Sequence, residues 1–158
     1  MIAEKHAMPR TKTLLVMLVL GTLAGCGGGP AYPPKAGIEF RLGELRAGPG
    51  LQAMLLPDGK HQVYVHLDLI LASRDIEYIR YGGSENGRPV IDFRFTNAGG
   101  KRMLHATQGS VGQPMAIEMD GQLISFATIN GPIQNGLRMP AESAAAAQSL
   151  IDRLAVTH

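Results

Sequence analysis

The five histidines are the side chains of this chain best suited to metal binding or proton transfer. His61 and His66 lie five residues apart on one predicted strand, and an odd separation points their side chains to opposite faces. His105 lies within a predicted helix and has no ligand partner four residues later, and His158 is the last residue. The spacing predicts surface or packing histidines, so neither a metal site nor any other cofactor is expected.

Carboxylates and nucleophiles give no stronger indication of catalysis. Asp92, Glu118 and Asp120 lie on or next to predicted strands, where charged residues on an exposed face are usually only solvated. No serine lies in a GxSxG turn, and the glycine-rich stretches "NAGGK" and "YGGSENG" lack the Lys-Ser/Thr ending of a phosphate-binding loop. The sequence therefore predicts that the protein is not an enzyme.

The chain's one cysteine, Cys26, ends an apolar segment. Residues 1–25 have the three parts of a signal peptide: the basic stretch "MPRTK", the apolar run "LLVMLVL" and the small residues "GTLAG", with Met8 as an alternative start. The apolar run is much shorter than the roughly 20 residues that a membrane-spanning helix needs. The ending "LAGC" resembles a bacterial lipobox, which predicts acylation of Cys26.

Acyl chains on Cys26 would hold the protein on a bilayer, since each buried methylene contributes about 0.8 kcal/mol and two chains give stable anchoring. Residues 26–37, "CGGGPAYPPKAG", are rich in Gly and Pro and predict a tether. The expected location is the cell envelope, outside the cytoplasm. Gly27 after the cysteine favours the periplasmic face of the outer membrane if the host has two membranes.

Charge excludes one class of partner. The net charge of +2 arises in the signal segment, because omitting Glu4, Lys5, Arg10 and Lys12 leaves equal numbers of acidic and basic residues. With neither a basic stripe nor paired stacking aromatic residues, the sequence predicts no binding to nucleic acid.

Residues 38–158 predict a single α+β domain. Short alternating runs such as "IEFRL", "QVYVHLDL" and "PVIDFRF" are typical of strands with one buried face. Asp-Gly pairs in "PDGK" and in "PMAIEMDGQLISFATI" predict hairpin turns, the second of type I′. On these strands we expect Asp92, Arg94 and Glu118 to point to solvent, as a surface able to bind protein.

Two helices are expected to cover the buried face of this small, mostly antiparallel sheet. "NAGGKRMLHATQ" places Met103, Leu104 and Thr107 at helical spacing. "PAESAAAAQSLIDRL" is rich in alanine and predicts a helix with Pro140 in its first turn. Its apolar stripe is formed by Ala147, Leu150, Ile151 and Leu154. A short turn at "SRDIEYI", with Ser73 as its cap, joins the early strands to the later ones.

The order of these features resembles the head subdomain of the first periplasmic domain of SecD, an auxiliary subunit of the Sec translocase. The resemblance covers about residues 88–154, from "RPVIDFRF" through "VGQPMAIEMDG", "LIS" and "INGPI" to the Ala-rich helix. Weaker similarity in "VYVHLDLILASRDIEYI" extends it to about residue 60. Phe126 and Ala127 replace the proline expected after "LIS", and "QNGLRMP" is shorter than expected.

The resemblance implies a domain outside the cytoplasm that engages polypeptide leaving the translocation channel. We expect a membrane-anchored lipoprotein that binds exported polypeptides and assists export, with the edge of "EYIRYGG" as one candidate site for strand addition. One alternative is a structural or assembly lipoprotein of the envelope with one dedicated partner protein. Another is a small envelope hydrolase, which would need a converging polar site.

Overall fold

The computed structural model describes residues 28–157, so Cys26 and the predicted signal segment lie outside the described residues. The chain forms ten strands: β1 (Ala31–Tyr32), β2 (Ile38–Glu44), β3 (Leu51–Leu55), β4 (Gln62–His66), β5 (Leu71–Ala72), β6 (Ile76–Glu85), β7 (Arg88–Phe95), β8 (Pro114–Met119), β9 (Gln122–Thr128) and β10 (Gly136–Pro140). The two α-helices are α1 (Asn97–Gln108) and α2 (Ala144–Leu154), and a 3₁₀ turn spans Ser73–Asp75.

The strands build two sheets, both antiparallel. The first sheet has the order β1-β6-β7-β10, and the second has the order β3-β4-β2-β8-β9, with β5 paired to β2 beside β4. The predicted α+β class is confirmed. The single sheet expected from the sequence is replaced by two, because β6, β7 and β10 pair only among themselves and with β1.

One apolar core joins the two sheets and both helices. Phe40 on β2 is fully buried and meets the rings of Phe93 and Phe95 on β7 edge to face, with centroids 6.0 and 5.7 Å apart. The helices reach this core through Met103 on α1 and through the predicted α2 stripe of Ala147, Leu150, Ile151 and Leu154. The packing confirms that both helices cover a buried sheet face.

Turn residues set the predicted hairpins. Asp120 and Gly121 have φ values of 52° and 76° and join β8 to β9, as the type I′ prediction requires. The β3–β4 hairpin also forms, with a longer loop in which the carboxylate of Asp58 accepts hydrogen bonds from the backbone N–H groups of Lys60 and His61. These bonds, led by that from Lys60 and assisted by the His61 side chain, lower the pKa of Asp58 to about 2.

Hydroxyl side chains begin both helices. Thr96 accepts a hydrogen bond from the Gly99 N–H at 3.0 Å, and Ser143 accepts one from the Ala146 N–H at 3.0 Å. The predicted place of Pro140 in the first turn of α2 is wrong. Pro140 ends β10 opposite Val90, and α2 begins only after its Ser143 cap.

The predicted tether is shorter than residues 26–37, because most of that segment packs on the domain. Ala31 and Tyr32 form β1 against β6, and Gly29 donates to the Tyr81 carbonyl at 2.7 Å. Farther along, Lys35 donates its backbone N–H to Leu154 at 2.7 Å. Residues 29–35 therefore belong to the folded domain, which the sequence pattern places from residue 38 onward.

Candidate functional site

An apolar cleft lies between the outermost strands of the two sheets. It has a volume of about 430 Å³ and is lined by Met115 and Ile117 at the end of the core, by Ser125, Ala127 and Thr128 of β9 and by residues 136–140 of β10. The loop 129–135 closes one end. We call this cavity the edge cleft.

Both strands that flank the edge cleft have a free edge. Within residues 28–157, β9 pairs only with β8, and β10 pairs only with β7. Each strand therefore has backbone N–H and C=O groups on its outer side that no other described strand uses. An apolar cavity bordered by such edges suits an extended peptide, which gains main-chain hydrogen bonds from the edge and places side chains in the cavity.

A buried threonine fixes the loop at the end of the edge cleft. Thr107 on α1 is fully buried, and its hydroxyl accepts a hydrogen bond from the Ile133 N–H at 2.9 Å while donating to the Met103 carbonyl at 2.8 Å. The carbonyl of Asn135 accepts from the Phe95 N–H at 3.0 Å. Thr107, which the helical spacing predicts on the buried side of α1, therefore also holds the loop of the edge cleft in place.

Gly100 allows α1 to approach this loop, and we expect Gly100→Ala to destabilise the protein. A Cβ at this position would lie 2.5 Å from the carbonyl oxygen of Gln134. Alanine normally favours a helix interior by about 1 kcal/mol over glycine, but overpacking against backbone costs about 1–3 kcal/mol. Urea unfolding of the variant should show a net loss.

Gly109→Ala is the matched control for Gly100→Ala. Its added Cβ would meet nothing within 4 Å, so its stability should stay within about 0.5 kcal/mol of the parent. Equal stability of both variants would contradict the close approach of α1 to the loop.

Two of the predicted binding residues, Asp92 and Arg94, lie on the first sheet, but only Arg94 is freely exposed. Asp92 is largely buried and accepts from Nε of Arg80 at 3.2 Å and from Nε of Arg138 at 3.0 Å. Arg94 has an exposed side chain whose Nε is 3.9 Å from a carboxylate oxygen of Glu77. The expected exposure of Asp92 is therefore corrected by its two cross-strand arginine partners.

Glu118, the third predicted binding residue, lies on the second sheet, and its expected exposure is also corrected. Only 8% of its side chain is exposed, because β8 is covered on both faces. Its Oε1 makes no hydrogen bond and lies 3.4 Å from Nε of Arg41. The three residues therefore do not form one surface, and none of them lines the edge cleft.

Burial gives Glu118 an expected effect on the pH dependence of stability. Loss of solvation raises its pKa, Arg41 opposes the rise, and Glu39 adds to it. The folded state then binds this proton more tightly than the unfolded state, so stability falls as pH rises from the usual glutamate value of 4.5 through the raised value. Each unit of pKa difference corresponds to about 1.4 kcal/mol.

Glu118→Gln should flatten this dependence and leave the protein at least as stable as the parent at neutral pH. The pH dependence of stability is measured by thermal unfolding of the parent and of Glu118→Gln between pH 4 and pH 8. Glu142→Gln, at an exposed position before α2, is the control and should retain the parental slope. A parental slope in Glu118→Gln would show that the burial of this carboxylate has no energetic effect.

The strand "EYIRYGG", predicted as one candidate edge, is not an edge. It belongs to β6, which pairs with β7 on one side and with β1 on the other. The histidines are dispersed: His61 contacts Asp58, and His66 contacts Glu44 on the neighbouring strand. Among residues 28–157, no group of three or more His, Cys, Asp or Glu side chains is placed to hold a metal ion.

Sequence reasoning missed the edge cleft. Its walls come from the ends of β9 and β10 and from the segment between them, which has no apolar periodicity. The only available indication was the quoted "INGPI", which forms most of the closing loop. No helix in the part of the chain that the structure describes has the length and hydropathy to cross a membrane.

Comparison with known proteins agrees with this fold. Residues 51–154 match the family model described as SecDF, P1 head subdomain. The protein translocase subunit SecD of Rhodobacter capsulatus is 35% identical over 85 residues, which cover 52% of this chain and 15% of that protein. SecD of Rickettsia conorii is 30% identical over 78 residues, which cover 49% of this chain and 15% of that protein. This chain thus corresponds to a small part of each relative's length.

Two solved structures share the fold at 18% sequence identity. One, a membrane component SecDF that enhances protein export, has a TM-score of 0.54 over 75% of this chain and 61% of its own. The other, SecDF in a super-membrane-facing form, has a TM-score of 0.52 over 74% of this chain and 18% of its own. The predicted head-domain fold is confirmed by these matches. The chain belongs to the SecDF P1 head subdomain family.

Proposed function

We propose that this protein is a lipid-anchored head domain of the cell envelope that binds exported polypeptides in the edge cleft and thereby assists protein export. The observation that carries the proposal is the edge cleft itself, an apolar cavity between two strand edges that no other described strand uses. Family membership supports a role in export, since the matched relatives are named as subunits of a protein translocase.

The site suits many different chains, as export requires. Main-chain hydrogen bonds to β9 or β10 need no particular sequence in the bound segment. The cavity then favours small or apolar side chains, because its lining includes Met115, Ile117 and Leu137. Unfolded exported chains present such extended segments before they fold.

Anchoring through Cys26 completes the proposal. The segment "LAGC" ends at the chain's one cysteine and follows a short apolar run, as in lipoprotein signals. Acyl chains on that cysteine would hold the domain on a membrane that borders the compartment into which exported chains emerge. The proposed location is therefore the envelope, outside the cytoplasm.

Photocrosslinking in living cells tests the proposed site. A photoreactive side chain at Ala127 or Thr128, both exposed on the β9 wall, would be activated during a short pulse of labelled synthesis. We expect adducts with many newly made exported chains, and these should fade during the chase. Ser149, exposed on α2 away from the cleft, is the matched control and should give few adducts.

Two results would contradict the proposed function. Equal crosslinking at Ala127 and Ser149 would show that the edge cleft has no special role in contacting polypeptide. One stable adduct that persists through the chase would indicate a dedicated envelope partner, as expected of an assembly lipoprotein.

A further inference from the structure

The outer face of the first sheet carries one arginine from each of three adjacent strands. Arg80 on β6 and Arg138 on β10 lie opposite Asp92 of β7, and Arg94 follows two residues later on β7. We call this surface the arginine face. The opposite side of the same strands holds Ile79, Ile91 and Phe93, against which the helices pack. Neither α1 nor α2 therefore covers the arginine face.

The arginines surround a shallow cavity of about 310 Å³, to which Tyr78 and Asn135 also contribute. Arg80 and Arg138 share the single carboxylate of Asp92, so two guanidinium groups meet one buried negative charge. The guanidinium of Arg80 lies 5.4 Å from the centre of the Tyr78 ring. Guanidinium groups in this arrangement have N–H donors left for a phosphate, which they bind through paired hydrogen bonds.

Two glutamates contact the rim of the arginine face. Glu77 approaches Arg94 at 3.9 Å and Glu85 approaches Arg138 at 3.5 Å, and each pair has side chains that are about half exposed. Exposed ion pairs of this kind contribute only about 0–1 kcal/mol. A phosphate group that approaches from solvent can therefore replace either contact.

The N-terminal segment leads directly to this face. A Cβ on Gly28 would lie 3.5 Å from the guanidinium carbon of Arg80, and Gly29 is hydrogen-bonded to β6. Cys26 precedes Gly28 by two residues, so their Cα atoms are at most about 7 Å apart, since one residue spans no more than about 3.6 Å. A lipid on Cys26 would thus enter the bilayer next to Arg80.

We propose that the arginine face docks on the anionic phospholipid headgroups of the bilayer in which Cys26 is anchored. The inference rests on the lipid anchor given under Proposed function and is independent of polypeptide binding. Recognition of phosphate comes from the free N–H donors of the three arginines, for which a headgroup must replace the weak contacts of Glu77 and Glu85. Proximity comes from the N-terminal segment, which leaves almost no slack between anchor and sheet. Docking also fixes the edge cleft close to the membrane, because Arg138 of β10 borders both cavities.

The full mature lipoprotein in vesicles provides the test. Cys26 is the chain's one cysteine and its thiol is used by the lipid, so an added cysteine is a unique site for a fluorophore. The fluorophore would be attached in two variants, Ala31→Cys and Ser149→Cys. Ala31 is exposed on β1 beside the arginine face, and Ser149 is exposed on α2. Vesicles would contain phosphatidylcholine, with or without one third phosphatidylglycerol, plus a quencher on a lipid headgroup.

With phosphatidylglycerol present we expect strong quenching at residue 31, weak quenching at residue 149, and loss of the difference in high salt. Arg94→Gln should lower the docking equilibrium constant about fivefold, since a basic residue at an anionic surface contributes about 1 kcal/mol. Arg94 is suitable because its one weak ion pair makes little contribution to folding. Arg153→Gln, on the exposed side of α2, is the matched control and should leave docking unchanged.

Mass spectrometry of the same sample shows whether Cys26 carries lipid, so failure of the anchor can be distinguished from failure of docking. Lipid on Cys26 together with equal quenching at residues 31 and 149 would overturn the docking proposal and leave the anchor intact. An Arg94→Gln variant that docks like the parent would overturn the role of the arginine face. Absence of lipid on Cys26 would overturn both anchoring and docking.

Discussion

Phe40→Ala should reduce the free energy of unfolding by about 3–5 kcal/mol, the usual effect of removing a fully buried phenylalanine ring. The loss is large because domains of this size are stable by only about 5–15 kcal/mol. Phe40 belongs to the second sheet and contacts Phe93 and Phe95 of the first. Its ring therefore connects the two sheets whose outer strands form the edge cleft, and polypeptide binding should fall together with stability.

The variant Phe40→Leu separates the contribution of buried apolar volume to stability from the contribution of the aromatic contacts. Leucine retains most of the buried apolar surface but loses the two edge-to-face contacts, each worth about 0.5–1.5 kcal/mol. Chemical denaturation should therefore rank the parent first, Phe40→Leu second and Phe40→Ala well below both. If Phe40→Ala unfolded at the same denaturant concentration as Phe40→Leu, the sheets would be joined by other contacts.

Local chemistry made the helices and hairpins predictable. The range predicted for α1 is the range observed, and the Asp120-Gly121 pair formed the predicted turn. Asn86 and Gly87 carry the same signal and connect β6 to β7 with φ values of 50° and 77°, although that turn was not predicted. Helices and hairpin turns depend on a few adjacent residues, so they can be predicted directly from the sequence.

Exposure was less predictable than secondary structure. Alternation along β8 indicates one solvent-exposed face, yet Ala116 and Glu118 on that face are buried. The reason is that the second sheet encloses a small second apolar cluster, formed by Met54, Val63, Val65, Ala116 and Leu123. Pairing between distant strands determines this burial, and no local pattern encodes it.

The N-terminal segment and the edge cleft were missed for a related reason. Residues 28–35 contain Gly and Pro without apolar periodicity, and their pairing with β6 and α2 becomes visible only in three dimensions. The cleft lies between β9 and β10, each of which is the last strand of its sheet. The position of a strand in the sheet order cannot be predicted from the sequence of that strand alone. Sites made by strand edges therefore require the topology.

Cys26→Ser should release the protein from the membrane fraction of cells into the soluble fraction. Serine matches the size of cysteine but has no thiol to acylate, so the variant loses the apolar chains that contribute about 0.8 kcal/mol per buried methylene. Fractionation of cells and detection of the protein by antibody measure the change, and mass spectrometry of the parent identifies the modified residue. Ala36→Ser, at an exposed position of the N-terminal segment, is the control and should remain with the membrane.

The same variant separates anchoring from the function of the head. The core and the edge cleft are built by residues from Tyr32 onward, so the Cys26→Ser protein should fold normally. Its cleft should still bind unfolded polypeptide in solution, while its crosslinks to newly exported chains in cells should decrease because the head is no longer held on the membrane. Undiminished crosslinking by the released protein would mean that capture of exported chains does not depend on the membrane, and the proposed reason for the lipid would be lost.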